Sequence, residues 1–543
     1  MAAVPHKRPL RAVLFTLALL VVPLAFAVDG MRSVDPRGLI LSHLPPPGSA
    51  AYAALKRAAG DAAGQPLEMT TAEMWSVPAQ NVEAVKRAAA DHGVDVMELG
   101  ANSNRALLPM DPNLPMTPKQ SAMMRDAMGS KAAMGMSMMA LPDPKVMEYA
   151  LTKGMGGTNA AGPGSELILS LDATTTVTAR RSSVEKTPEG YVWHGAIVGT
   201  DDPVTLLWWP SGRLSGQITY RGRHFVVKNL GGAMHGVVEM SPRKLPPEHA
   251  PMGKGLLNEM HMRKDPLVTN GDASMLRKPS SGAVEPPREP IRNLQDATPK
   301  PRAKANAEVA LVVPPAPSGK VSREPVTIDL LVAYTARAAS HYTDIKRDLI
   351  EVAIEEANQS FRSSGIDNVR LRLVHAYQTD YAESGSHFEH VFRFADKGDG
   401  YMEEVHGLRD RYKADMSALI VDDAHGCGLS AAVAPPPDRA FTVVHHECAA
   451  LSYSLAHEIG HLVGARHDVG LDDSQHPYAY GHGFVSGKDW RTMMSYEESC
   501  DGCPRLPIWS SPLIKVRGTV AGDATADNAR VISEGAARVA AFR

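Results

Sequence analysis

The stretch that decides the fold is His457-Glu458-Ile459-Gly460-His461-Leu462-Val463-Gly464-Ala465-Arg466-His467-Asp468. Its first two histidines stand at i and i+4 on a helix predicted over Ser452–Val463, so both imidazoles project from one face onto one ion. If the helix continued, His467 would lie ~9 Å further along the axis and about 120° from that face. The helix must therefore end, and Gly464 can adopt the left-handed conformation that such a turn requires.

Three imidazoles leave a fourth position on zinc open for water, which is the arrangement of a catalytic metal site. Glu458 adjoins the first histidine and is predicted to act on that water as a general base. His-Glu-x-x-His alone occurs by chance in about 5% of chains of this composition, whereas the pattern with the glycine, the third histidine and the aspartate occurs in roughly 1 in 10⁵. The alternative, a solvated glutamate between core histidines, is therefore disfavoured.

A second motif lies downstream, at Thr492-Met493-Met494-Ser495-Tyr496. It matches the x-x-Met-x-Tyr turn that follows the zinc helix in metzincin metalloproteases. The chain resembles a metzincin, in particular the reprolysin-like bacterial secreted peptidases, because an aspartate follows the third histidine. Its tyrosine is instead similar to that of astacins and serralysins. The resemblance implies that three histidines bind zinc, His457, His461 and His467, and that Glu458 is the base. It also implies that Met494 forms a hydrophobic floor under the metal. Tyr496 would stabilise the oxyanion or act as a displaceable fifth ligand, and the alternative is a core tyrosine.

Residues 325–543 also show the alternation of strands and helices that is typical of an α/β domain. The resemblance covers most of this region and implies a metzincin-like catalytic domain with a twisted mixed sheet, a zinc helix and a Met-turn. The edge strand, assigned to Gly428–Val433, would hold the substrate backbone by β-augmentation. The chain over 497–512 would wall the pocket beyond the scissile bond. Three nearby cations, Arg491, Arg505 and Lys515, would favour an acidic side chain there, although we expect each to be a surface residue.

The N-terminus resembles a secretory signal peptide. Three basic residues precede an apolar run from Ala12 to Phe26, and Ala25-Phe26-Ala27 is a small-x-small cleavage pattern. A membrane anchor is the alternative, but about 17 apolar residues span only ~25 Å, less than the ~30 Å hydrocarbon core. We therefore expect removal of residues 1–27, no membrane span in the mature chain, and export to the extracellular or periplasmic space.

All four cysteines lie in the last quarter of the chain, which predicts two disulfides in an exported protein. The favoured pairing is Cys427–Cys448 with Cys500–Cys503, because the short spacing of the second pair leaves the first two cysteines to each other. A structural zinc site with four thiolates is the alternative.

The region before the catalytic domain divides into three parts. Residues 28–160 are predicted to be partly α+β and contain a Met-rich segment over 110–155, which we interpret as flexible or adaptably packed rather than as a Cu(I) site. Residues 165–241 contain short strands broken by Gly, Asp and Pro and are predicted to form a β-rich pro-domain. Residues 242–324 are rich in proline and are predicted to be an extended, protease-accessible linker.

The net charge of -3 excludes a polycation built for nucleic acid. Residues 1–324 carry 36 basic and 29 acidic residues, a net +7, whereas 325–543 carry 21 and 31, a net -10. Opposite charges would favour docking of the two parts. Since metzincins are commonly made as zymogens, we expect 28–324 to inhibit or chaperone the protease and to be removed by cleavage in the linker. A cysteine thiolate cannot silence the zinc, because 1–426 contain no Cys, so an Asp, Glu or His of the pro-region, or steric cover, would have to replace it.

The sequence thus predicts a secreted zinc-dependent endopeptidase that acts on protein or peptide substrates. Structural calcium sites are possible but are not predicted. Two alternatives remain open: a catalytically silent metzincin-like protein that binds a polypeptide or a surface, and a zinc amidase with a non-peptide substrate.

Overall fold

The computed structural model describes residues 37–60, 64–66, 73–98, 104–110, 116–152, 166–248 and 324–543. The chain divides into two compact units, one ending at Gly100 and the other running from Ala101 to Arg543. The expected signal peptide, residues 1–27, and residues 249–323 of the Pro-rich segment lie outside the described residues. Within the described ranges, no helix has the length and apolar character needed to cross a membrane.

The first unit is a four-stranded sheet with two helices packed together. Its elements are β1 (Arg37–Ser42), α1 (Ala50–Ala59), β2 (Gly64–Pro66), β3 (Glu73–Val77), α2 (Val82–Asp91) and β4 (Asp95–Glu98). Strand β1 pairs antiparallel with β3 and β4. Leu39, Leu55, Trp75 and Val85 are fully buried between the sheet and the helices. The α+β character predicted for part of residues 28–160 is present here, where β3, α2 and β4 follow one another.

The second unit begins with a closed barrel of nine strands. In chain order its elements are β5 (Arg105–Pro109), α3 (Pro118–Gly129), β6 (Ala133–Ala140), α4 (Pro144–Thr152), β7 (Glu166–Ser170), β8 (Thr176–Lys186), β9 (Tyr191–Ile197), β10 (Pro203–Trp209), β11 (Arg213–Tyr220), β12 (Arg223–Gly231) and β13 (Met234–Met240). The β-rich character predicted for 165–241 is present, but β5 and β6 come from the preceding region. Part of the Met-rich segment is therefore a barrel strand, since β6 pairs with β13 over its whole length.

The rest of the second unit is built on a five-stranded mixed sheet in the order β15-β14-β16-β18-β17. Its strands are β14 (Val326–Tyr334), β15 (Val369–Gln378), β16 (Met416–Val421), β17 (Gly428–Ser430) and β18 (Phe441–His445). Strands β15, β14, β16 and β18 pair in parallel, whereas β17 is an antiparallel edge strand beside β18. Every residue of β16 is buried, as expected for a central strand with both faces covered. The predicted α/β domain with a mixed sheet is confirmed in this region.

The helices of this domain cover both faces of the sheet. They are α5 (Ala336–Ala339), α6 (Glu351–Ser363), α7 (His387–Ala395), α8 (Glu404–Tyr412), α9 (Cys448–Leu451), α10 (Ser454–Val463) and α11 (Asn528–Val539), and two hairpins add β19 (Val485–Ser486), β20 (Trp490–Arg491), β21 (Ser511–Val516) and β22 (Thr519–Ala521). A π-helical turn, Lys346–Ile350, leads directly into α6. Both predicted disulfides are present, Cys427–Cys448 and Cys500–Cys503.

The barrel packs on helix α6 of the α/β domain. Val192, Leu207 and Trp209 of the barrel belong to the same hydrophobic core as that helix. The ion pairs across the interface run in both directions: Arg213 of the barrel contacts Asp348 at 2.6 Å, whereas Glu189 of the barrel contacts Arg347 at 2.6 Å. The contact between the barrel and the α/β domain thus combines buried apolar side chains with ion pairs to which each part supplies both acidic and basic residues. It is not a contact between a uniformly basic barrel and an acidic domain.

Candidate active site

Helix α10 and the turn after it bring the three predicted ligand histidines together. Nitrogen atoms of His457, His461 and His467 all lie within 4.8 Å of one another. The helix ends at Val463, and Gly464 follows with a φ of +129°. A Cβ at Gly464 would come within 2.9 Å of the ring of Tyr478, so both the conformation and the space require glycine.

Backbone carbonyls fix the orientation of two of these rings. Nδ1 of His457 lies 3.0 Å from the carbonyl oxygen of Met493, and Nδ1 of His461 lies 2.9 Å from that of Ala465. Because a carbonyl can only accept, each Nδ1 carries the proton and each Nε2 keeps its lone pair. Neutral imidazoles oriented by such hydrogen bonds are the usual ligands of zinc, so the residues present fit that ion.

Glu458 lies between α10 and the edge strand β17. The hydroxyl of Ser430 lies 2.7 Å from Oε2 of Glu458 and 2.9 Å from the main-chain oxygen of the same glutamate, so the one proton of that hydroxyl is shared between the two acceptors. A Cβ at Gly428 would stand 2.6 Å from Oε1, so that strand position must lack a side chain. Burial raises the pKa of Glu458 to about 8, against the opposing effects of Ser430 and the positive charge of Arg505. A cation at the imidazoles would lower this pKa.

Ser430 could not be identified from the sequence as a partner of the base. The edge strand itself was predicted, and β17 lies at the sheet edge within the predicted range. However, only the fold brings the hydroxyl of Ser430 to a carboxylate 28 residues away in the chain.

The Met-turn lies directly against the zinc helix. Met494 is fully buried. Its sulfur would be 3.0 Å from a Cβ at Gly460, which lies between the two histidines of the helix, so the Met-turn approaches the helix closely at this glycine. Asp468 holds the end of this turn, because its carboxylate accepts from the backbone N–H of Tyr496 at 3.2 Å and from the hydroxyl of Ser499 at 2.7 Å. Asp468 thus joins the end of the histidine motif to the Met-turn, a role that its position in the motif did not reveal.

Tyr496 lies beside the third histidine. Its hydroxyl oxygen is 2.8 Å from Nε2 of His467. Burial, followed by the nearby carboxylates Glu458 and Glu248, raises the pKa of Tyr496 well above its ordinary value. The tyrosine is therefore part of the site and not a remote core residue.

The cations named from the sequence separate into two groups. Arg491 and Arg505 are buried, with side chains that are 6% and 7% exposed, and both contact the carboxylate of Glu248, whereas Lys515 is exposed on β21. The expectation that each of them is a surface residue is therefore wrong for the two arginines. Glu248 stands at the end of the first described stretch of the Pro-rich segment, a part that we predicted to be an accessible linker.

A second group of metal-binding residue types consists of His341, Asp422 and His446, whose ligand atoms also lie within 4.8 Å of one another. Both histidines have Nε2 3.2 Å from the same oxygen of Asp422, and the guanidinium of Arg337 is 2.9 Å from its other oxygen. A fixed cation on this carboxylate opposes the binding of a second one. We interpret the group as a hydrogen-bonded cluster that ties α5 to the ends of β16 and β18.

The comparisons with known proteins agree with the geometry of the site. The sequence model of "Metallo-peptidase family M12" matches residues 324–510. The chain is 32% identical over 400 residues to a "Peptidyl-Asp metalloendopeptidase" of Xanthomonas campestris pv. campestris, covering 71% of this chain and 84% of the relative. It is 32% identical over 387 residues to a protein of the same name from Stenotrophomonas maltophilia strain R551-3, covering 68% and 81%.

A third relative, the "Peptidyl-Asp metalloendopeptidase" of Pseudomonas fragi, is 35% identical over 191 residues, which are 35% of this chain and 100% of the relative. Among solved structures, a chain from "Structure of a chaperone-substrate complex" has a TM-score of 0.33 and 18% identity, covering 40% of this chain and 35% of that one. That similarity is too low to bear on the fold.

The fold and the histidine site define the class of protein, a zinc metalloendopeptidase and thus a hydrolase. Within that class, the chain belongs to metallo-peptidase family M12. The endopeptidase is therefore favoured over the two alternatives left open by the sequence, a silent binding protein and a non-peptide amidase.

Proposed function

We propose that this protein is an exported zinc endopeptidase, made in a latent form, that hydrolyses peptide bonds with Glu458 as the general base. The single observation that carries the proposal is the convergence of three imidazoles within 4.8 Å beside a buried glutamate. A structural histidine cluster has no need of a carboxylate held in place by a dedicated hydroxyl, as Ser430 holds Glu458.

His457, His461 and His467 would hold one zinc ion. Zinc, when bound there, supplies a Lewis acid that polarises the substrate carbonyl and acidifies the attacking water. The protein contributes the fixed tautomers of the first two histidines, which the carbonyls of Met493 and Ala465 set.

Glu458 takes the proton of the attacking water and passes it to the nitrogen of the leaving amine. Ser430 keeps one carboxylate oxygen in a fixed position, so that the other can face the substrate. Tyr496 donates a hydrogen bond to the oxygen of the carbonyl as negative charge develops on it, which is the oxyanion-stabilising role. The contact between the hydroxyl of Tyr496 and His467 supports the role proposed for the tyrosine.

The relatives carry the name peptidyl-Asp metalloendopeptidase. We propose the same preference for cleavage beside an acidic residue here, since Arg491 and Arg505 together bind the carboxylate of Glu248 and the charge of Arg505 acts on the base Glu458. Export is proposed from the N-terminal signal pattern, and the two disulfides are compatible with an oxidising compartment.

The region before residue 325 would act as an intramolecular inhibitor. The barrel shares a hydrophobic core with the catalytic domain, and the segment that leaves the barrel reaches the neighbourhood of the histidine site. Cleavage within the Pro-rich segment would then begin the release of the active domain.

The proposal is tested with a Glu458→Gln variant, with Glu534→Gln as the control, a partly buried glutamate of α11 that pairs with Arg530. In proteins whose Pro-rich segment has been cut, we expect the first variant to bind one zinc ion per chain but to lose proteolysis of casein, by about 10³-fold or more when the general base is removed. The control should match the unchanged protein in both measurements. Full chelator-sensitive proteolysis by Glu458→Gln would contradict the proposed mechanism.

A further inference from the structure

We infer that Glu248 is an intramolecular substrate mimic, whose carboxylate fills an acid-binding pocket formed by Arg491 and Arg505 and thereby keeps the uncleaved chain latent. This inference rests on the proposed function, because it assigns a specificity pocket and a regulatory contact to the same active site.

The pocket has the chemistry of a site for one carboxylate. Both terminal nitrogens of Arg491 lie 2.7 Å from Oε1 of Glu248, and a terminal nitrogen of Arg505 lies 2.9 Å from the same oxygen. Burial, followed by the neighbouring charge of Arg505, lowers the pKa of Arg491 to about 10. Two buried guanidinium groups side by side repel each other, so this arrangement is favourable when an anion lies between them.

Contacts other than Glu248 hold the two arginines. Nε of Arg491 donates to the carbonyl oxygen of Cys503 at 3.0 Å, and Nη1 donates to that of Ser495 at 2.8 Å. Nη1 of Arg505 donates to the carbonyl oxygen of Ser452 at 3.1 Å. Because main-chain atoms of the catalytic domain position both guanidinium groups, the pocket persists when Glu248 leaves and is available to another acidic side chain.

The pocket adjoins the reacting groups. Ser495, which binds Arg491, immediately precedes Tyr496 in the Met-turn, and Ser452 lies two residues before α10. The charge of Arg505 acts on Glu458, and the charge of Glu248 acts on Tyr496. A side chain bound between the arginines therefore belongs to a residue close to the bond that is cut.

The backbone of the segment also binds as a peptide ligand would. The carbonyl oxygen of Pro247 accepts a hydrogen bond of 2.7 Å from the N–H of Cys427, the residue before edge strand β17. Main-chain hydrogen bonds to a sheet edge are how extended peptides bind by β-augmentation. Since Cys427, next to the edge strand, already binds the carbonyl of Pro247 and the arginines bind Glu248, an acidic substrate cannot use the same groups at the same time.

The covalent link explains how such a contact can be reversed. Residues 249–323 connect Glu248 to the catalytic domain, so the carboxylate competes as an intramolecular ligand at high effective concentration. Cutting this segment converts the contact into one between two chains, which dilution can break. Glu248 thus mimics the acidic side chain of a substrate. Because residues 1–426 contain no Cys, the chain is kept latent by a carboxylate bound to arginine and not by a thiolate bound to zinc.

The test compares full-length Glu248→Gln and Glu248→Ala with Glu185→Gln, a matched control. Glu185 lies on the barrel and pairs with Arg370 of the catalytic domain at 2.7 Å, at partly exposed positions. Activity is measured on a peptide containing one Asp before any cleavage of the linker, which mass spectrometry verifies. We expect both Glu248 variants to exceed the unchanged chain by roughly 10- to 100-fold, the range for losing one charge-assisted contact, and the control to remain latent.

A second readout does not depend on catalysis. In a Glu458→Gln background, a site-specific protease sequence is placed in the Pro-rich segment and cut, and release of the N-terminal part from the catalytic part is followed by size exclusion. Faster release in both Glu248 variants supports the inference. The inference is overturned if the variants match the parent both in the rate of release and in their latency before cleavage. If the cleaved chain with Glu458 intact is inactive, the proposed function fails, while the release measurement in the Glu458→Gln background still decides the role of Glu248.

Discussion

The hydroxyl oxygen of Tyr496 lies 2.8 Å from Nε2 of His467. Because His467 is one of the three histidines that would hold the metal, the phenol lies beside the place where a substrate carbonyl would be polarised. Asp468 maintains the relationship by accepting from the backbone N–H of Tyr496. The Met-turn therefore positions a phenol as well as a hydrophobic floor.

Replacement of Tyr496 by Phe removes this hydroxyl and leaves the ring. If the phenol stabilises the developing oxyanion, kcat should fall by about 10²–10³-fold with little change in KM, because the interaction is made in the transition state. Zinc content should stay the same. Tyr480→Phe is the control, since the hydroxyl of Tyr480 bonds Glu534 away from the site. An unchanged kcat with altered zinc affinity would instead identify Tyr496 as a displaceable ligand.

Replacement of Ser430 by Ala tests how Glu458 is held. Loss of a hydrogen bond to a charged group should lower kcat by about 10-fold, because the base becomes less well positioned. The matched control is Ser417→Ala, a change at a buried serine of β16 whose hydroxyl has no hydrogen-bond partner among the described residues. Equal kinetics in the two variants would show that the hydroxyl of Ser430 does not support the base.

Much of the catalytic site was predictable from the sequence, because a helix puts residues at i and i+4 on one face and a glycine allows the turn to His467. The contacts that depend on distant segments were not. Ser430 reaches Glu458 across 28 residues, and Glu248 reaches Arg491 across 243. No local periodicity encodes such pairs. The barrel was recognised only as β-rich, because closure brings in β5 and β6 from a region whose methionines give no strand pattern.

Replacement of Arg505 by Gln should change specificity more than turnover. In the activated enzyme, we expect kcat/KM for an Asp-containing peptide to fall roughly 10- to 100-fold, the range for a lost charge-assisted hydrogen bond, while an Ala-containing analogue changes by less. Lys515→Gln, at an exposed cation of the same chain region, should leave the ratio unchanged. An equal loss on both peptides would mean that Arg505 supports the fold of the pocket and does not select its ligand.

The two histidine clusters predict different metal contents. We expect one zinc ion per chain after dialysis, none in His461→Gln, and still one in His446→Gln, because Arg337 already neutralises Asp422 in the second cluster. Elemental analysis of all three proteins measures this. Two ions in the unchanged chain, falling to one in His446→Gln, would show instead that the second cluster binds metal.

The buried carboxyl of Glu356 predicts how stability depends on pH. Burial raises its pKa to about 7; Glu355 acts in the same direction, whereas a hydrogen bond from Thr205 of the barrel and the charge of Arg362 oppose it. The folded protein therefore keeps this proton at a pH where the unfolded chain, with an ordinary pKa near 4.3, has lost it. The stability due to the neutral carboxyl is full below about pH 4 and is lost as the pH rises to 7, by up to ~3 kcal/mol. In a Glu458→Gln background that prevents autolysis, Glu356→Gln should gain stability over its parent in urea unfolding, by an amount that grows from pH 5 to pH 7 and then levels off. Parallel pH profiles for the two proteins would show that Glu356 does not titrate differently in the folded state.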